Sequence, residues 1–440
     1  MSDRKKLSSW KEISKYLGIE VRTAQRWEKK FGLPVYRIDE SKRTYVFAYS
    51  DEIDRWIVKK IPREKSKKID FLRSISIIGI PALLLIALII FSFIFIPIWI
   101  NTTPADFTTT DKKLIIYNNH GKKLWEYDSK LILDSKRYSK TLQSNSPSKD
   151  TSSIFFKDID KENGLNIIFT VQTKYNSNEH VICFDKKGKK LWQFFAGEEV
   201  KYGDQMISSD FDITRLRVVD LNNDGFLETI IIAAHKTYFP CRLIVLDHKG
   251  NLMGEYWNSG HLNCLEFLDL DDDGFKELIL AGLNNNYDQG CLVILDPRKI
   301  RGSSPQVKGT RYYPDGKSMG TEKYYILIPN NEIGDLLGIY DNISSIDIYT
   351  NDRFQINTYL SRVFYEFDYQ LKVTYIHMGD EFDSKFAQLV KEGKINSPKD
   401  SIKKNISQAK ILYWDGKEWT FEPTKTFYWK NELTARTTEK

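Results

Sequence analysis

The chain is poor in the residues and motifs that build most catalytic centres. It has four cysteines and six histidines among 440 residues, and the histidines are scattered without the spacing of zinc ligands. It also lacks a GxSxG nucleophile elbow, a phosphate-binding loop, a protein-kinase signature and an HExxH helix. These absences argue against the common hydrolase, kinase and zinc-enzyme classes, and we expect that the protein is not an enzyme.

The few cysteines do not define a disulfide framework. Cys241 and Cys291 begin similar strands, CRLIVLD and CLVILD, which would bring them close together if the two strands occupy adjacent repeats. The other two cysteines, Cys183 and Cys264, have no such relation. The sequence therefore leaves open both a disulfide and buried free thiols.

Long apolar runs are also absent, with one exception at residues 75–100, which contain no charged side chain. A helix of that length crosses a hydrocarbon core of about 30 Å. Its Ile, Leu and Phe residues favour insertion strongly enough to tolerate Pro81 and Pro97. A helix buried in a soluble domain is rarely apolar on every face, and a signal peptide does not follow so long an N-terminal segment. The sequence therefore predicts one transmembrane helix over residues 74–100.

The distribution of charge predicts the orientation of that helix. Lysine and arginine crowd residues 59–73, a short linker, whereas the first basic residue after the helix is Lys112. The positive-inside rule places the N-terminal part in the cytoplasm and residues 101–440 outside a cytoplasmic membrane. Residues 1–73 hold 20 Lys and Arg against 11 Asp and Glu, and the remainder holds 45 against 48. A basic cytoplasmic head suits a polyanionic partner, either nucleic acid or anionic lipid.

Residues 1–58 show the spacing of a small helical domain. Ser9 precedes one helical pattern that ends at Gly18, and a second pattern runs from Val21 to Phe31 before Gly32. A β-hairpin with a basic tip follows, and then a short helix capped by Ser50 or Asp51. The polar face of the second helix carries donor-rich side chains that suit the phosphates and base edges of a major groove. These are Arg22, Thr23, Gln25, Arg26, Lys29 and Lys30.

The segments SWKEISKYLGIEVRTAQRWEKKFGLPVYRI and FAYSDEIDRWI resemble the winged helix-turn-helix module of the MerR/excisionase type over about residues 8–58. The resemblance implies DNA contacts from the second helix, and from Lys42 and Arg43 on the wing. One departure is Glu20, where the pattern usually has a capping Ser or Thr. The alternative interpretation is a basic face that is merely solvated, or that binds another protein or lipid.

Residues 110–300 repeat a strand followed by a polar turn. Such segments begin at Leu114, Val181, Arg242 and Leu292, and in the first three a second strand follows the turn. Two hairpins in each period of about 50 to 65 residues predict four-stranded blades around a channel, or a related stacked β-array.

Two turns between these hairpins carry oxygen-bearing side chains at positions 1, 3, 5 and 9 and glycine at position 6. In the first turn the side chains belong to Asp220, Asn222, Asp224 and Glu228. In the second they belong to Asp269, Asp271, Asp273 and Glu277. Oxygen ligands at this spacing suit Ca²⁺, although the position-12 acid and the flanking helices of an EF-hand are missing. The alternative is that these carboxylates are only hydrated.

The two turns and their flanking strands resemble the calcium loops of FG-GAP/VCBS β-propeller repeats. The resemblance implies a propeller body in which Ca²⁺ has a structural role. A third, weaker copy has Asp158 and Asp160, but residues 162–164 break the spacing and position 9 has no acid. We expect no metal in that copy.

The repeat fades after residue 301. Strands are predicted at 324–329, 345–350, 359–367 and 371–377, a helix at 380–392, a loop at 397–410 and a hairpin at 411–419. The last strands either close the ring or form an appended subdomain. Aromatic residues near predicted loops offer a stacking surface for sugar or peptide, or belong to the core: Tyr238, Phe239, Tyr256, Trp257, Tyr312 and Tyr313.

The sequence thus predicts a multidomain chain with a small α+β head, one transmembrane helix and an all-β propeller-like body. The favoured function is a single-pass, membrane-tethered transcription regulator that binds DNA as a homodimer and senses an external ligand or protein. The alternative is a membrane-anchored adhesion or assembly protein whose head binds other proteins.

Overall fold

The computed structural model describes residues 4–40, 43–60, 102–138, 153–162, 164–174, 179–338, 340–348 and 352–426. The chain divides into two compact units, one within Met1–Phe91 and the other within Ser92–Lys440. The predicted transmembrane helix at residues 74–100 lies outside the described residues. In the described ranges, no helix is both long enough and apolar enough to cross a membrane.

The head contains three helices and a small sheet. The helices are α1 at Trp10–Leu17, α2 at Val21–Phe31 and α3 at Ser50–Lys60. The antiparallel sheet has the order β1-β3-β2, with β1 at Lys6–Leu7, β2 at Tyr36–Glu40 and β3 at Arg43–Tyr49. The predicted helices and hairpin are confirmed, and β1 is an additional strand that the sequence did not indicate.

Local hydrogen bonds explain where the first two helices begin and end. Ser9 Oγ accepts from the Glu12 N–H at 3.2 Å, and Glu12 Oε2 accepts from the Ser8 N–H at 2.9 Å. The first bond caps α1, and the second ties the residue before the cap to its first turn. Gly18 and Gly32 end α1 and α2 with φ of 67°, a left-handed conformation that glycine adopts without a steric penalty.

The sequence predicts that Ser50 or Asp51 caps α3, and the helix begins at Ser50 with both residues in its first turn. The Oγ of Ser50 also accepts from the Lys5 N–H at 3.0 Å and so joins the N-terminal segment to the helix. The core beneath α1, α2 and β3 is small and contains Ile13, Leu33 and Ala48, each almost fully buried. Trp10, Leu17 and Trp27 pack against this core while staying partly exposed.

In the described residues the body is mostly β, and its antiparallel strands form five sheets of three or more strands and one two-stranded hairpin. The first sheet contains β4 Asp106–Thr109, β5 Lys113–Tyr117 and β6 Lys123–Asp128. The second contains β7 Ile154–Lys157, β8 Asn166–Val171, β9 His180–Phe184 and β10 Lys190–Phe195. A hairpin of β11 Val200–Tyr202 and β12 Gln205–Ile207 follows. The third sheet contains β13 Phe211–Val219, β14 Glu228–His235, β15 Cys241–Leu246 and β16 Leu252–Asn258.

The last two sheets include the region where the sequence repeat fades. The fourth contains β17 Leu262–Leu268, β18 Glu277–Asn284, β19 Gln289–Leu295 and β20 Tyr324–Ile328, with β25 Leu412–Trp414 and β26 Trp419–Thr420 at its edge. The fifth contains β21 Ile343–Ile348, β22 Arg353–Thr358, β23 Val363–Asp368 and β24 Val373–Met378. Three helices complete the unit, α4 Glu332–Leu337, α5 Asp380–Lys391 and α6 Lys399–Ser407.

Hydrophobic clusters fill the spaces between sheets that follow one another in the chain. One cluster joins the first and second sheets, the next joins the second and third, and two more continue to the fifth. The central strands, such as β14 and β15, are buried along their whole length. Strands buried on both faces read as continuous apolar runs, which is why the repeats were visible in the sequence.

The structure corrects several predictions after residue 301. Residues 397–410 are not a loop, because Ile402 and Ile406 are buried on one side of α6. The predicted strand at 359–367 begins only at Val363, since a turn with Arg362 at φ 58° precedes it. The sequence did not indicate α4 or β22. The helix at 380–392 and the hairpin at 411–419 are confirmed, and the hairpin extends the fourth sheet through pairing of β25 with β20.

Candidate functional sites

The polar face of α2 forms one basic surface. Arg22, Gln25, Arg26, Lys29 and Lys30 together line a shallow cleft of about 530 Å³. The two arginines and two lysines are exposed, and no carboxylate in the described part of the chain forms an ion pair with them. We call this set the α2 basic surface. Cations that the protein leaves unpaired are free to meet the phosphates of a nucleic acid.

The opposite side of α2 holds the helix in place. Ala24 is fully buried, and Trp27 packs on the head core with its ring centroid 6.1 Å from that of Trp56. Arg37 of the hairpin pairs with Glu28 of α2, with Nη2 2.8 Å from Oε2. Neither of these two interactions involves the side chains of the α2 basic surface. The α2 basic surface therefore belongs to a helix whose opposite side is held in place by packing and an ion pair.

The remaining predicted DNA contacts are less well defined. Thr23 is half-buried, and its N–H donates to the Glu20 carbonyl at 2.9 Å, but it does not line the cleft. Glu20 makes no side-chain hydrogen bond to the N–H groups at the start of α2. The helix therefore lacks the side-chain cap that a Ser or Thr at this position would supply. Lys42 and the side chain of Arg43 lie outside the described part of the chain.

The first acidic turn, residues 220–228, is closed by its own hydrogen bonds. Asp220 Oδ2 accepts from the Gly225 N–H at 2.9 Å, and Asp224 Oδ1 accepts from the Phe226 N–H at 2.8 Å. Asn222 Oδ1 accepts from the Asp224 N–H at 3.0 Å. The second oxygen of Asp220, Oδ1, is buried and has no hydrogen-bond partner among the described atoms. An orphaned anionic oxygen in a turn of oxygen donors fits a hard cation such as Ca²⁺.

The second acidic turn, residues 269–277, brings carboxylate oxygens of Asp269, Asp271 and Asp273 within 4.8 Å of one another. Two of these carboxylates already have protein cations. Asp271 Oδ2 lies 2.6 Å from the Lys323 ammonium, and Asp273 Oδ2 lies 2.6 Å from the Arg298 guanidinium. The Lys425 ammonium also lies 3.8 Å from Asp271 Oδ2. The donor set fits a cation, but a metal here would share its ligands with three positive side chains.

Lys323 also reaches the acid at position 9. Its ammonium lies 2.6 Å from Glu277 Oε1, and both side chains are almost completely buried. Burial raises the pKa of Glu277, and the lysine beside it opposes that shift. The Lys323 ammonium thus lies beneath the second turn, between the carboxylates of Asp271 and Glu277.

The position-9 side chain has the same structural role in all three turns. Glu228 Oε2 accepts from the Leu221 N–H at 2.8 Å, and Glu277 Oε2 accepts from the Leu270 N–H at 2.9 Å. In the degenerate copy the amide oxygen of Asn166 accepts from the Ile159 N–H at 3.1 Å. Asn166 therefore keeps the turn geometry without supplying an acid. The sequence shows that position 9 of the degenerate copy lacks an acid. It does not show that the position-9 side chain accepts the same backbone hydrogen bond in all three turns.

The cysteines are buried free thiols, and no disulfide joins them. Cys241 and Cys291 do lie in one cluster, between the third and fourth sheets. Burial raises the pKa of each of the four thiols to about 12. They therefore remain protonated and unreactive at neutral pH.

The aromatic residues near the predicted loops separate into two groups. Tyr256 and Trp257 are completely buried, so of the two alternatives that the sequence left open they belong to the core. Tyr238 and Phe239 line a pocket at the ends of the third to fifth sheets. Tyr312 packs edge-on against Phe239, with centroids 4.7 Å apart. Tyr313 is half-buried beside it and does not line the pocket.

One contact resembles a nucleophile–base pair but lacks the necessary proton arrangement. Ser208 Oγ lies 3.1 Å from His235 Nε2. The other ring nitrogen, Nδ1, accepts from the N–H groups of Thr237 and Tyr238 at 3.2 and 3.0 Å. Nδ1 is therefore unprotonated and Nε2 carries the hydrogen, so His235 donates to Ser208. A general base would have to accept from the serine.

Comparisons with known proteins give only distant structural likenesses. No protein-family model matches the chain, and no curated protein matches it. The Dos1 propeller is 11% identical over 62% of this chain and 58% of its own, with a TM-score of 0.33. BBS1N, solved in complex with ARL6DN, is 10% identical over 61% of this chain and 62% of its own, with a TM-score of 0.32. The V. cholerae biofilm matrix protein Bap1 is 10% identical over 63% and 39%, with a TM-score of 0.30.

The chain thus spans less than two thirds of each of these three structures. The structural neighbours include β-propeller proteins, and the body described above is likewise mostly β. These identities are too low to indicate a shared activity or partner.

Proposed function

We propose that the chain is a membrane-tethered transcription regulator. Its head binds DNA in the cytoplasm, residues 74–100 span the membrane once, and its body senses an external ligand or protein. The observation that carries this proposal is the α2 basic surface, in which two arginines, two lysines and Gln25 line one cleft on an exposed helix. Arginine and glutamine are the side chains that read guanine and adenine edges in the major groove.

The placement of that helix supports DNA recognition over a merely solvated face. α2 follows α1 after a three-residue connection, residues 18–20, and a hairpin comes directly after it. This is the order of a winged helix-turn-helix module, in which the second helix enters the groove. The Arg37–Glu28 pair and the burial of Ala24 keep α2 rigid, so its donors need little ordering on binding.

Control of DNA binding by the body is proposed to act through pairing of two heads. A single head of this size covers one half-site, and a second head adds phosphate contacts that raise affinity steeply. A body that changes the distance or orientation of two chains would therefore change occupancy of a two-half-site operator. The apparent affinity for such an operator is expected to rise with protein concentration in the membrane.

The body is proposed to use Ca²⁺ structurally and to have no enzymatic activity. The first acidic turn offers the oxygens of Asp220, Asn222, Asp224 and Glu228, including the orphaned Oδ1 of Asp220. The second turn offers Asp269, Asp271, Asp273 and Glu277 beside Lys323 and Arg298. In both cases a bound ion would brace a turn between two strands.

A mobility-shift assay tests the regulator proposal. The full-length chain in detergent is first used to select bound fragments from random DNA. The variant R22E/R26E should abolish the shift of the selected fragment, because it reverses two charges of the α2 basic surface. The matched control is K5E/K15E, which makes the same change in charge at a separate cleft of the head and should retain most of the binding.

The assay also decides between the two functional classes. Equal loss of DNA binding in both variants would indicate a general electrostatic attraction between the head and DNA, without a defined binding site. No selected DNA, together with a wild-type head that remains folded, would favour the alternative of an adhesion or assembly protein.

A further inference from the structure

A pocket of about 660 Å³ opens at one end of the third, fourth and fifth sheets. Its walls include the turns 236–240, 285–288 and 359–362, each of which joins the second and third strands of its sheet. The acidic turns join the first and second strands, so they lie at the opposite ends of the same strands. The pocket is therefore distinct from the proposed calcium turns, and its volume is typical of a small-molecule site.

Aromatic rings form much of the pocket wall. Tyr238, Phe239, Tyr340 and Tyr359 line it, and Tyr238 and Tyr359 are 41% and 55% exposed. Each tyrosine offers an apolar ring face and a hydroxyl that can donate or accept. Such faces pack against the C–H face of a pyranose ring, while the polar edges remain available to its hydroxyls.

The charged part of the lining is a cation. Among the lining residues that the structure describes, none is Asp or Glu, and the set includes Arg311. His261 also lines the pocket, and its Nε2 lies 3.1 Å from the Tyr238 carbonyl oxygen. The Arg311 guanidinium lies 4.9 Å from the ring centroid of Tyr312, and no carboxylate in the described part of the chain pairs with it. An exposed guanidinium held over an aromatic ring is suited to bind a carboxylate through two parallel hydrogen bonds.

Three side-chain amides complete the lining, those of Asn263, Asn285 and Asn342. Each amide both donates and accepts, which matches the dual character of sugar hydroxyls. The turns are held by internal hydrogen bonds, including Tyr238 N–H to His235 Nδ1 at 3.0 Å and Leu360 N–H to Asp341 Oδ1 at 2.7 Å. A lining fixed in this way loses little entropy when a ligand binds.

We propose that this pocket binds a carboxylate-bearing sugar, with the pyranose rings against the tyrosines and the carboxylate on Arg311. A neutral sugar leaves the guanidinium unpaired, and a purely anionic peptide leaves the aromatic faces and amides without matching groups. The assignment of the pocket as the sensing site rests on the regulator function proposed above. The binding of the sugar does not depend on it.

Isothermal titration of the full-length chain in detergent tests the proposal with a trisaccharide of glucuronic acid. Its methyl ester has the same rings without the charge. The ester should bind about tenfold to a hundredfold more weakly, the range expected for a hydrogen-bonded ion pair. R311Q should lose a similar factor for the acid, whereas K308Q, at an exposed lysine three residues away that does not line the pocket, should bind like the wild type.

Three results would overturn the proposal. They are the absence of binding by the acid, equal binding of acid and ester, and wild-type affinity of R311Q. Equally tight binding of triglutamate would also refute the sugar class in favour of an acidic peptide. A mobility shift measured with and without the trisaccharide separates the two proposals. Binding of sugar with no DNA binding at all would refute the regulator alone, and DNA binding without sugar binding would refute this inference alone.

Discussion

Calcium is expected to stabilise the body mainly through the first acidic turn. Asp220 Oδ1 is buried there without a hydrogen-bond partner in the described structure, and no protein cation forms an ion pair with the turn in that part of the chain. At a Ca²⁺ concentration one hundred times the Kd, binding adds about 2.7 kcal/mol to the free energy of unfolding. A gain of that size raises Tm by roughly 4 °C for a unit of about 340 residues, at about 2.1 cal/mol/K of unfolding entropy per residue.

Calorimetry of the full-length chain in detergent, with excess Ca²⁺ or with EDTA, measures this difference directly. D220N removes one negative charge while keeping the side-chain shape, so its transition should be nearly the same in the two conditions. D204N is the matched control, because Asp204 is exposed on the turn between β11 and β12. D204N should keep the full calcium response. Identical melting temperatures of the wild type in Ca²⁺ and in EDTA would show that Ca²⁺ does not stabilise the body.

The second acidic turn gives a contrasting expectation within the same experiment. K323M removes the ammonium that pairs with Asp271 and Glu277, and it leaves a buried carboxylate unpaired. In EDTA this should cost about 3 to 5 kcal/mol. Ca²⁺ should recover part of the loss, so the variant should depend on calcium more strongly than the wild type. A loss that Ca²⁺ does not reduce would show that no metal replaces the lysine in this turn.

Two further predictions concern pH and salt. Burial raises the pKa of Glu322 to about 8. The folded state therefore holds a proton that the unfolded chain loses above pH 4.5, and the free energy of unfolding should fall by about 1.4 kcal/mol per pH unit between pH 5 and 7 because of this group. In chemical unfolding, E322Q should remove this part of the dependence of the unfolding free energy on pH. The control is E418Q, at an exposed turn. An unchanged pH dependence in E322Q would contradict the assignment to Glu322. In DNA titrations, R22A/R26A should lower the slope of log K against log salt by about 1.8 if each arginine meets one phosphate. A lost sequence preference at unchanged slope would instead assign both arginines to base contacts.

Much of the fold could be predicted from the sequence where local chemistry decides it. Ser9, Gly18 and Gly32 mark the ends of α1 and α2 because they act within a few residues of the helix they limit. The central strands were visible because burial on both faces requires continuous apolar runs. The acidic turns were found in register because their backbone geometry depends on side chains only a few positions apart.

The rest depends on contacts between distant parts of the chain. Lys323 lies 46 residues from Glu277 in the sequence, and no local pattern indicates that the two meet. The pocket is assembled from turns of three different sheets, so Arg311 and Tyr359 become neighbours of one cavity only after folding. The sequence could not decide between surface and core for Tyr256 and Trp257 for the same reason, because residues from other strands bury them completely.

The most direct test of the central claim is flotation of proteoliposomes that carry the full-length chain, mixed with the labelled DNA fragment that it selects. We predict that the DNA rises with the wild-type vesicles, and that vesicles carrying the R22E/R26E variant leave the DNA at the bottom of the gradient. DNA that stays at the bottom with wild-type vesicles, or a chain that does not float with lipid, would contradict a membrane-tethered DNA-binding protein.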